Sequence, residues 1–347
     1  MIMYSINNYE FRCADFFPMS IFDQITEMRV EAPDLVLTAA ESRERRPTLT
    51  LDGKLVILAA DHLARMVTSL GDDPIAMGDR QQYLGRVLRV ISSPGIDGVM
   101  GTTEILEDLL ILNALVKEAG GPGLLDGKLL IGCMNRTGLA GAAWEMDDRL
   151  SSWTAESMVA MRLDGAKVMF RLCLEEPELS NRTLSYCVQA INDCNRLGLP
   201  VFLEPIMVKH EGNKYVFQRN YVDLIKTVCV AYGMGDSSRY LWLKIPYGQN
   251  YELVARAVTC PLLMLGGEST GDPTGILEQF AAGMKAGNNV RGALVGRNIT
   301  FPGRDDPLAV ALAVNAVVHE AADVGQAVDV LMTKRDDNFD VLTRYLA

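Results

Sequence analysis

The chain has 347 residues, 49% of them hydrophobic, and its 33 Lys and Arg against 44 Asp and Glu give a formal net charge of −11. This negative balance argues against nonspecific binding to nucleic acid or to an anionic membrane surface, and no apolar segment reaches the roughly 18 residues of a membrane span. The totals predict a globular protein of the size of one large barrel or two average domains, with small molecules as its partners.

The first residues of the chain and its cysteine content indicate the cellular compartment that we expect for the protein. Residues 1–8 contain neither a basic nor an apolar segment of the kind that opens a secretion signal. Seven cysteines without a Cys-x-x-Cys pair fit a reducing environment, so we expect the cytoplasm. His62, His210 and His319 lie far apart in the sequence, and we therefore expect no histidine-built metal site. We also expect no cofactor.

Two helices are predicted near the N-terminus, over residues 21–31 and 35–46. The second ends in the charged run 41–46 before Pro47, a pattern that is typical of a solvated helix end. We interpret residues 1–50 as an N-terminal helical extension that covers the bottom of a barrel or contacts another copy of the chain, and we expect a homo-oligomer.

From residue 51 the chain alternates short apolar runs with helix-competent stretches. Apolar runs without internal alternation are typical of strands buried on both faces. The eight predicted strands span 55–60, 96–100, 128–133, 166–172, 200–204, 240–245, 261–265 and 292–295. The eight predicted helices span 80–91, 103–119, 154–161, 180–197, 221–232, 250–257, 275–286 and 307–324.

Eight strand-helix units predict an α/β fold, a (β/α)8 TIM barrel over residues 51–330. Residues 331–347 would form a tail or a helix packed on the barrel. Enzymes with this fold carry their active sites at the C-terminal ends of the strands. The polar residues that interrupt or follow the apolar runs are therefore the candidate site residues.

The sixth predicted strand carries one lysine, Lys244, in an otherwise apolar run that ends at Pro246. An ammonium group in such a strand must be paired, reach water or lose its proton. A neutral lysine is a nucleophile toward ketones and aldehydes, so Lys244 is the candidate Schiff-base residue. The alternative is an ordinary strand-end lysine whose side chain extends to solvent.

Other charged residues lie on or directly after the predicted strands. Asp61 follows the first strand and Glu204 ends the fifth, and both are candidates for acid/base catalysis. Lys167 and Arg171 lie on the fourth strand, where like-charge repulsion would favour a neutral amine nearby and their cations could hold substrate oxygens. Alternatively, Asp61 caps the next helix, and Lys167 and Arg171 pair with Glu204 in a structural network.

Glycines follow the last two predicted strands. Gly266 and Gly267 come after the seventh, and Gly296 and Arg297 come after the eighth, where TIM barrels often hold a phosphate on backbone amides. A side chain at these glycines would block the close approach of the anion, and Arg297 could add a pair of N–H donors. These four residues are the predicted phosphate site.

In their order and strand positions these features resemble the class I aldolase superfamily of (β/α)8 barrels, which includes archaeal-type fructose-bisphosphate, tagatose-bisphosphate and deoxyribose-phosphate aldolases. The resemblance runs from about residue 54 to 320. Its motifs are Leu58-Ala-Ala-Asp61-His62, Gly165-Ala-Lys167, Phe202-Leu-Glu204-Pro, Leu243-Lys244-Ile-Pro, Gly266-Gly267, Gly296-Arg297-Asn298-Ile and Asp306-Pro307.

The resemblance implies that Lys244 forms an imine with a phosphorylated ketose or keto-sugar acid and cleaves it reversibly to dihydroxyacetone phosphate and an aldehyde. It implies that Asp61 takes part in proton transfer and that Lys167 is a second pocket lysine. Glu204 stands in the region where some relatives place a tyrosine as proton donor. The implied phosphate ligands are Gly267, Gly296 and Arg297.

Resemblance to barrels associated with inositol breakdown suggests 2-deoxy-5-keto-gluconate 6-phosphate as the substrate. Three alternatives remain open at this point. The same lysine could serve acyl transfer on a phosphorylated diketone, as in a thiolase-like acyltransferase. The chain could be a non-catalytic phosphosugar-binding barrel, in which Lys167, Lys244 and Arg297 only neutralise an anion. A metal-dependent aldolase is the third alternative, and the scattered histidines disfavour it.

Overall fold

Nine β-strands are found in the computed structural model, which describes residues 4–212 and 214–347. Residues 1–3 of the segment in which we expect no secretion signal therefore lie outside the described part. The strands are β1 Leu55–Ala60, β2 Gly98–Gly101, β3 Leu129–Cys133, β4 Gly165–Leu172, β5 Val201–Glu211, β6 Lys214–Phe217, β7 Leu241–Pro246, β8 Leu262–Leu265 and β9 Val290–Val295.

Eight of these strands pair in parallel in the order β1-β2-β3-β4-β5-β7-β8-β9, and β9 pairs again with β1. The sheet is therefore a closed barrel, and the predicted (β/α)8 fold is confirmed. Every residue of β1 is buried, because helices cover its outer face and side chains of the other strands fill the inside.

Alternate residues of each strand face the inside of the barrel. In β1, Leu55, Ile57 and Ala59 belong to the inner cluster with Phe202 of β5 and Trp242 of β7, whereas the intervening residues of β1 pack in the outer cluster against the helices. Because side chains in a strand repeat with a period of two, a residue two positions after an inner residue also points inward. This register decides which polar side chains reach the mouth.

Fourteen α-helices are found in the described part of the chain, beside a short 3₁₀ helix over Leu63–Arg65. They are α1 Cys13–Phe16, α2 Met19–Glu31, α3 Leu35–Ser42, α4 Arg80–Ile91, α5 Thr103–Glu118, α6 Ala155–Ala160, α7 Pro177–Arg196, α8 Tyr221–Tyr232, α9 Tyr251–Arg256, α10 Thr274–Gly283, α11 Arg297–Thr300, α12 Pro307–His319, α13 Val324–Thr333 and α14 Thr343–Leu346. None of them is both long and apolar enough to cross a bilayer.

The last predicted helix, 307–324, ends earlier, at His319 of α12, and a separate helix, α13, begins at Val324. Ala321 has a φ of 57°, in the left-handed region that ends a helix. Asp323 then caps α13 reciprocally with Gln326: its side chain accepts from the Gln326 N–H, and the Gln326 side chain accepts from its backbone N–H. These local signals separate the two helices.

The charged run 41–46 is not a solvated helix end, so that prediction is wrong. Helix α3 already ends at Ser42, and the Arg43 side chain is buried, donating to the carboxylate of Asp164 (2.9 Å) and the carbonyl of Lys128 (2.7 Å). Arg46 donates to Asp97 at 2.8 Å. Asp97 and Asp164 precede β2 and β4, so these arginines bind the barrel at the end opposite the strand C-termini.

Strand β5 is longer than the predicted run 200–204. It continues to Glu211 and forms an antiparallel hairpin with β6, from Val208 opposite Phe217 to Glu211 opposite Lys214. We call these two strands beyond Glu204 the β5–β6 hairpin. The hydroxyl of Tyr215 in β6 donates to Glu176 at 2.8 Å, which ties the hairpin to the start of α7. The hairpin returns the chain to the mouth of the barrel.

Candidate active site

The strand register directs three charged side chains into the mouth of the barrel. Lys244 follows Trp242 by two positions, and Glu204 follows Phe202 by two, so both point inward from β7 and β5. Asp61 follows inward-facing Ala59 in the same way, directly after β1. These side chains are buried, with residue exposures of 6% for Lys244, 8% for Glu204 and 5% for Asp61.

The two carboxylates and two lysines form one chain of ion pairs. Oε2 of Glu204 lies 3.1 Å from Lys244 Nζ and 2.8 Å from Lys167 Nζ. Lys167 in turn lies 3.2 Å from Oδ2 of Asp61, which also accepts from Arg136 at 2.8 Å. Glu204 therefore bridges the two lysines, and Lys167 bridges the two carboxylates.

The surrounding cations keep both carboxylates ionised. Burial raises the pKa of Glu204, but the charges of Lys167 and Lys244 outweigh it and lower the pKa to about 2. The pKa of Asp61 is also well below its usual range, because Lys167 and Arg136 outweigh the opposing effect of burial. Near neutral pH each group can accept a proton, and it can act as an acid only after it has done so.

His62 forms the wall of the site between Asp61 and the glycines. Burial lowers the pKa of its imidazole to about 4, so the ring is neutral at pH 7. A Cβ on Gly296 would collide with this ring and would lie 2.8 Å from the carbonyl oxygen of Ala59. Glycine is required at position 296 because the imidazole occupies the space that a side chain would need.

The pKa of His62 predicts a loss of stability in mild acid. The unfolded chain, in which the histidine has its ordinary pKa of 6.5, binds the proton before the folded protein does at about pH 4. The contribution of neutral His62 to the free energy of unfolding is therefore complete above pH 6.5. It decreases by about 1–3 kcal/mol as the pH falls toward 4. Urea unfolding at several pH values should show this decline, and His62→Asn should reduce it.

His319 provides a control of opposite sign. It pairs with Asp52 at 2.9 Å and Asp97 at 3.0 Å, and although burial lowers its pKa, these carboxylates raise it overall. The stabilisation of the folded protein by charged His319 is complete below pH 6.5 and is lost as the pH rises through the pKa of His319 in the folded protein. His319→Asn should therefore destabilise the protein most at low pH. Equal acid sensitivity of wild type and His62→Asn would contradict the role given to His62.

A pocket of about 240 Å³ opens above these ion pairs. Eight of the nine predicted site residues line it, and the ninth, Lys167, lies beneath with no exposed surface. The eight are Asp61, Arg171, Glu204, Lys244, Gly266, Gly267, Gly296 and Arg297. The structure therefore brings all nine together at the C-terminal ends of the strands.

The glycine end of the pocket is held by Asn298. Its side-chain amide donates to the carbonyls of Gly266 (2.9 Å) and Gly267 (3.3 Å). Gly267 has a φ of 72°, a conformation that glycine adopts without strain. Arg297 begins the short helix α11, and its guanidinium lies 3.7 Å from Glu268, whose side chain is 79% exposed.

Arg171 lies at the opposite end of the pocket, in a group of ion pairs. It lies 3.0 Å from Asp148, which also accepts from Arg65 at 2.7 Å, and 3.5 Å from Glu145. These contacts hold the loop between β3 and α6 against the mouth. Burial lowers the pKa of Arg171. The two arginines and the two carboxylates carry no net charge together, so this end of the pocket is nearly neutral.

Arg136 and Arg219 also belong to the site, and neither is among the predicted site residues. Arg136 comes shortly after β3, where the sequence places it among the polar residues at the strand ends, although no role is predicted for it. Arg219 lines the pocket from the segment after β6. Strand β6 has only four residues and no apolar run, so the sequence contained no comparable signal for Arg219.

The chain is similar to several known proteins. The sequence profile of a family described as Cgl0159-like matches residues 53–318. The crystal structure of Cgl0159 from Corynebacterium glutamicum is 36% identical and aligns over 88% of this chain and 98% of that one, with a TM-score of 0.80. The structure of a Schiff-base-forming fructose-1,6-bisphosphate aldolase is 22% identical and aligns over 77% of this chain and 95% of that one, with a TM-score of 0.51. At this identity the likeness shows a shared fold.

A curated relative is similar over a shorter region. An uncharacterized aldolase of Saccharolobus solfataricus is 26% identical over 185 residues, which amount to 52% of this chain and 64% of that protein. The alignment thus spans less than two thirds of the relative's length.

Proposed function

Starting from the fact that this chain belongs to the Cgl0159-like family, we propose that it is a class I aldolase in which Lys244 forms a Schiff base with a phosphorylated ketose or keto-sugar acid. The observation that carries the proposal is the position of the Lys244 amine, at the mouth of the barrel and 3.1 Å from the Glu204 carboxylate. The curated relative that is named an aldolase supports the same reaction class.

In the proposed reaction the neutral Lys244 amine attacks the substrate ketone, and loss of water gives an iminium ion. A base then removes the proton of the hydroxyl group on the carbon two positions from the iminium carbon. The bond between that carbon and the carbon next to the iminium carbon breaks, and an aldehyde leaves. The bonding electrons pass to the nitrogen as an enamine, which is protonated on carbon. Water finally hydrolyses the imine and releases the second product.

Glu204 is the base that we assign to this proton transfer. Its carboxylate is ionised, lines the pocket and contacts Lys244 directly. After accepting the proton, it becomes the acid that can return the proton to the enamine carbon. Lys167 contacts both carboxylates. We propose that this ammonium holds Glu204 and Asp61 in place and that Asp61 is the second acid/base candidate.

The glycines and Arg297 would bind the substrate phosphate at the other end of the pocket. We expect Arg297→Ala to raise KM for a phosphorylated substrate about tenfold or more, because a charge-assisted hydrogen bond is lost, with little change in kcat. Steady-state kinetics would measure both values. Arg297→Lys keeps the positive charge, so its KM should lie between those of the wild type and Arg297→Ala. An unchanged KM in the alanine variant would remove Arg297 from the phosphate site.

A panel of phosphorylated ketoses and keto-sugar acids, with coupled detection of dihydroxyacetone phosphate, would test the reaction. We include 2-deoxy-5-keto-gluconate 6-phosphate, which would give a semialdehyde as second product. Release of the phosphorylated triose from any member supports the aldolase assignment. Acyl-CoA formation from a phosphorylated diketone would instead identify an acyltransferase, and phosphosugar binding without turnover or imine would identify a binding protein.

We also propose that the protein works in the cytoplasm as a homo-oligomer. The seven cysteines are unpaired and six of them are buried, which is compatible with a reducing compartment. Light scattering coupled to size-exclusion chromatography would determine the oligomeric state.

A further inference from the structure

The β5–β6 hairpin brings a second arginine to the phosphate end of the pocket. Gln218 N–H donates to the carbonyl of Met207 at 2.8 Å, which keeps the chain paired with β5 after β6 has ended. The next residue, Arg219, lines the pocket together with Phe217 and Ile206 of the hairpin. Asn220 then caps α8 with its side chain. The segment that carries Arg219 is thus fixed on both sides.

Arg219 faces the glycine turn directly. Its two terminal guanidinium nitrogens lie 3.8 and 4.0 Å from the point that a Cβ on Gly267 would occupy. The guanidinium carbon lies 5.4 Å from the centre of the Phe217 ring, a contact that orients it. Within residues 4–212 and 214–347, no aspartate or glutamate forms an ion pair with Arg219. The positive charge of Arg219 is therefore available to bind an anionic ligand.

Arg219 and Arg297 approach the same space from different elements. Burial lowers the pKa of the Arg297 guanidinium, and the positive charge of Arg219 lowers it further. The nearby carboxylate, Glu268, lies 3.7 Å from Arg297 and is largely in solvent. This end of the pocket therefore has a net positive charge, in contrast to the neutral group of Arg65, Arg171, Glu145 and Asp148.

We propose that Arg219 is a specificity-determining residue which, with Arg297, clamps a phosphate monoester dianion over Gly267. The inference rests on the proposed function and extends it: the hairpin, and not only the barrel, selects a substrate with a phosphate group beside its ketone. A phosphate monoester carries close to two negative charges near pH 7, which two guanidinium groups match better than one.

Binding of inorganic phosphate by calorimetry tests the clamp without requiring any reaction. Arg219→Gln should weaken phosphate binding on the order of tenfold and reduce the dependence of binding on salt. Arg219→Lys should restore part of the affinity. Lys209→Gln is the matched control, because it removes an exposed cation of the same hairpin that does not line the pocket. Equal affinity in wild type and Arg219→Gln would overturn the proposal.

Borohydride trapping separates this inference from the proposed reaction. With dihydroxyacetone phosphate, Arg219→Gln should need about tenfold more substrate for half-maximal trapping and reach the same final extent. With unphosphorylated dihydroxyacetone the two proteins should behave alike. If Arg219→Gln loses phosphate binding but the wild type is not trapped, the phosphate clamp is supported and the aldolase reaction is rejected. If wild type and Arg219→Gln are trapped with the same dependence on dihydroxyacetone phosphate concentration, the phosphate clamp is rejected and the aldolase reaction is not.

Discussion

Lys244→Met is expected to abolish both aldolase activity and covalent trapping of a ketone substrate. Methionine has a similar length and can occupy the buried position, but it has no amine to form the imine. The remaining cleavage should be lower by at least about 10⁴-fold, since covalent catalysis is lost entirely. Intact-mass analysis after borohydride reduction, with dihydroxyacetone phosphate as substrate, would show the absence of the adduct.

Lys167→Met is the matched control for this experiment. Its amine lies 2.8 Å from the same Glu204 oxygen, so it is the other amine that could form an imine in this site. However, Lys167 has no exposed surface and does not line the pocket. We expect Lys167→Met to be trapped, although more slowly. If Lys244→Met is trapped and Lys167→Met is not, the Schiff-base residue is Lys167 and not Lys244.

Glu204→Gln is expected to lower kcat by about 10²–10⁴-fold, the usual range for a lost general base. Glutamine keeps the size of the side chain but cannot accept the proton, and it leaves Lys167 and Lys244 without the carboxylate between them. Imine formation should persist, so the variant should still be trapped by borohydride. Exchange of substrate protons with D₂O in dihydroxyacetone phosphate, followed by NMR, should be slowed to the same extent as kcat.

Asp61→Asn distinguishes the two carboxylates in this experiment. Asp61 contacts Lys167 and Arg136, and Glu204 contacts Lys244 itself, so the Asp61 variant should lose less proton exchange than Glu204→Gln. Thermal unfolding of both variants would verify that they are folded. A larger loss of exchange in Asp61→Asn would make Asp61 the principal base.

Much of the site follows from the sequence because barrel strands are regular. An apolar run buried on both faces marks a strand, and the period of two then fixes which polar residue at its end points inward. Lys244, Glu204 and Asp61 could be identified in this way, each two positions beyond an inner residue. The glycines could be identified because a side chain at these positions would block the close approach of an anion.

The parts that the sequence did not predict depend on contacts between distant segments. The arginines of the run 41–46 looked solvated because their partners, Asp97 and Asp164, lie more than fifty residues away. Strand β6 exists because β5 offers its unpaired edge and Tyr215 has a partner in Glu176. A local pattern contains no information about such partners, so Arg219 could not be assigned to the site.

Strand β5 divides the two tasks of the pocket along one continuous piece of backbone. Glu204, within the barrel, is assigned to the proposed reaction, whereas the chain leaving the β5–β6 hairpin beyond it carries Arg219. The segment that carries Arg219 follows β6 and lies outside the ring of strands that supports Lys244. Evolution or an engineer could thus replace the residue at position 219 to change which charged group is recognised, and the proposed bond-breaking residues on the barrel strands would stay the same.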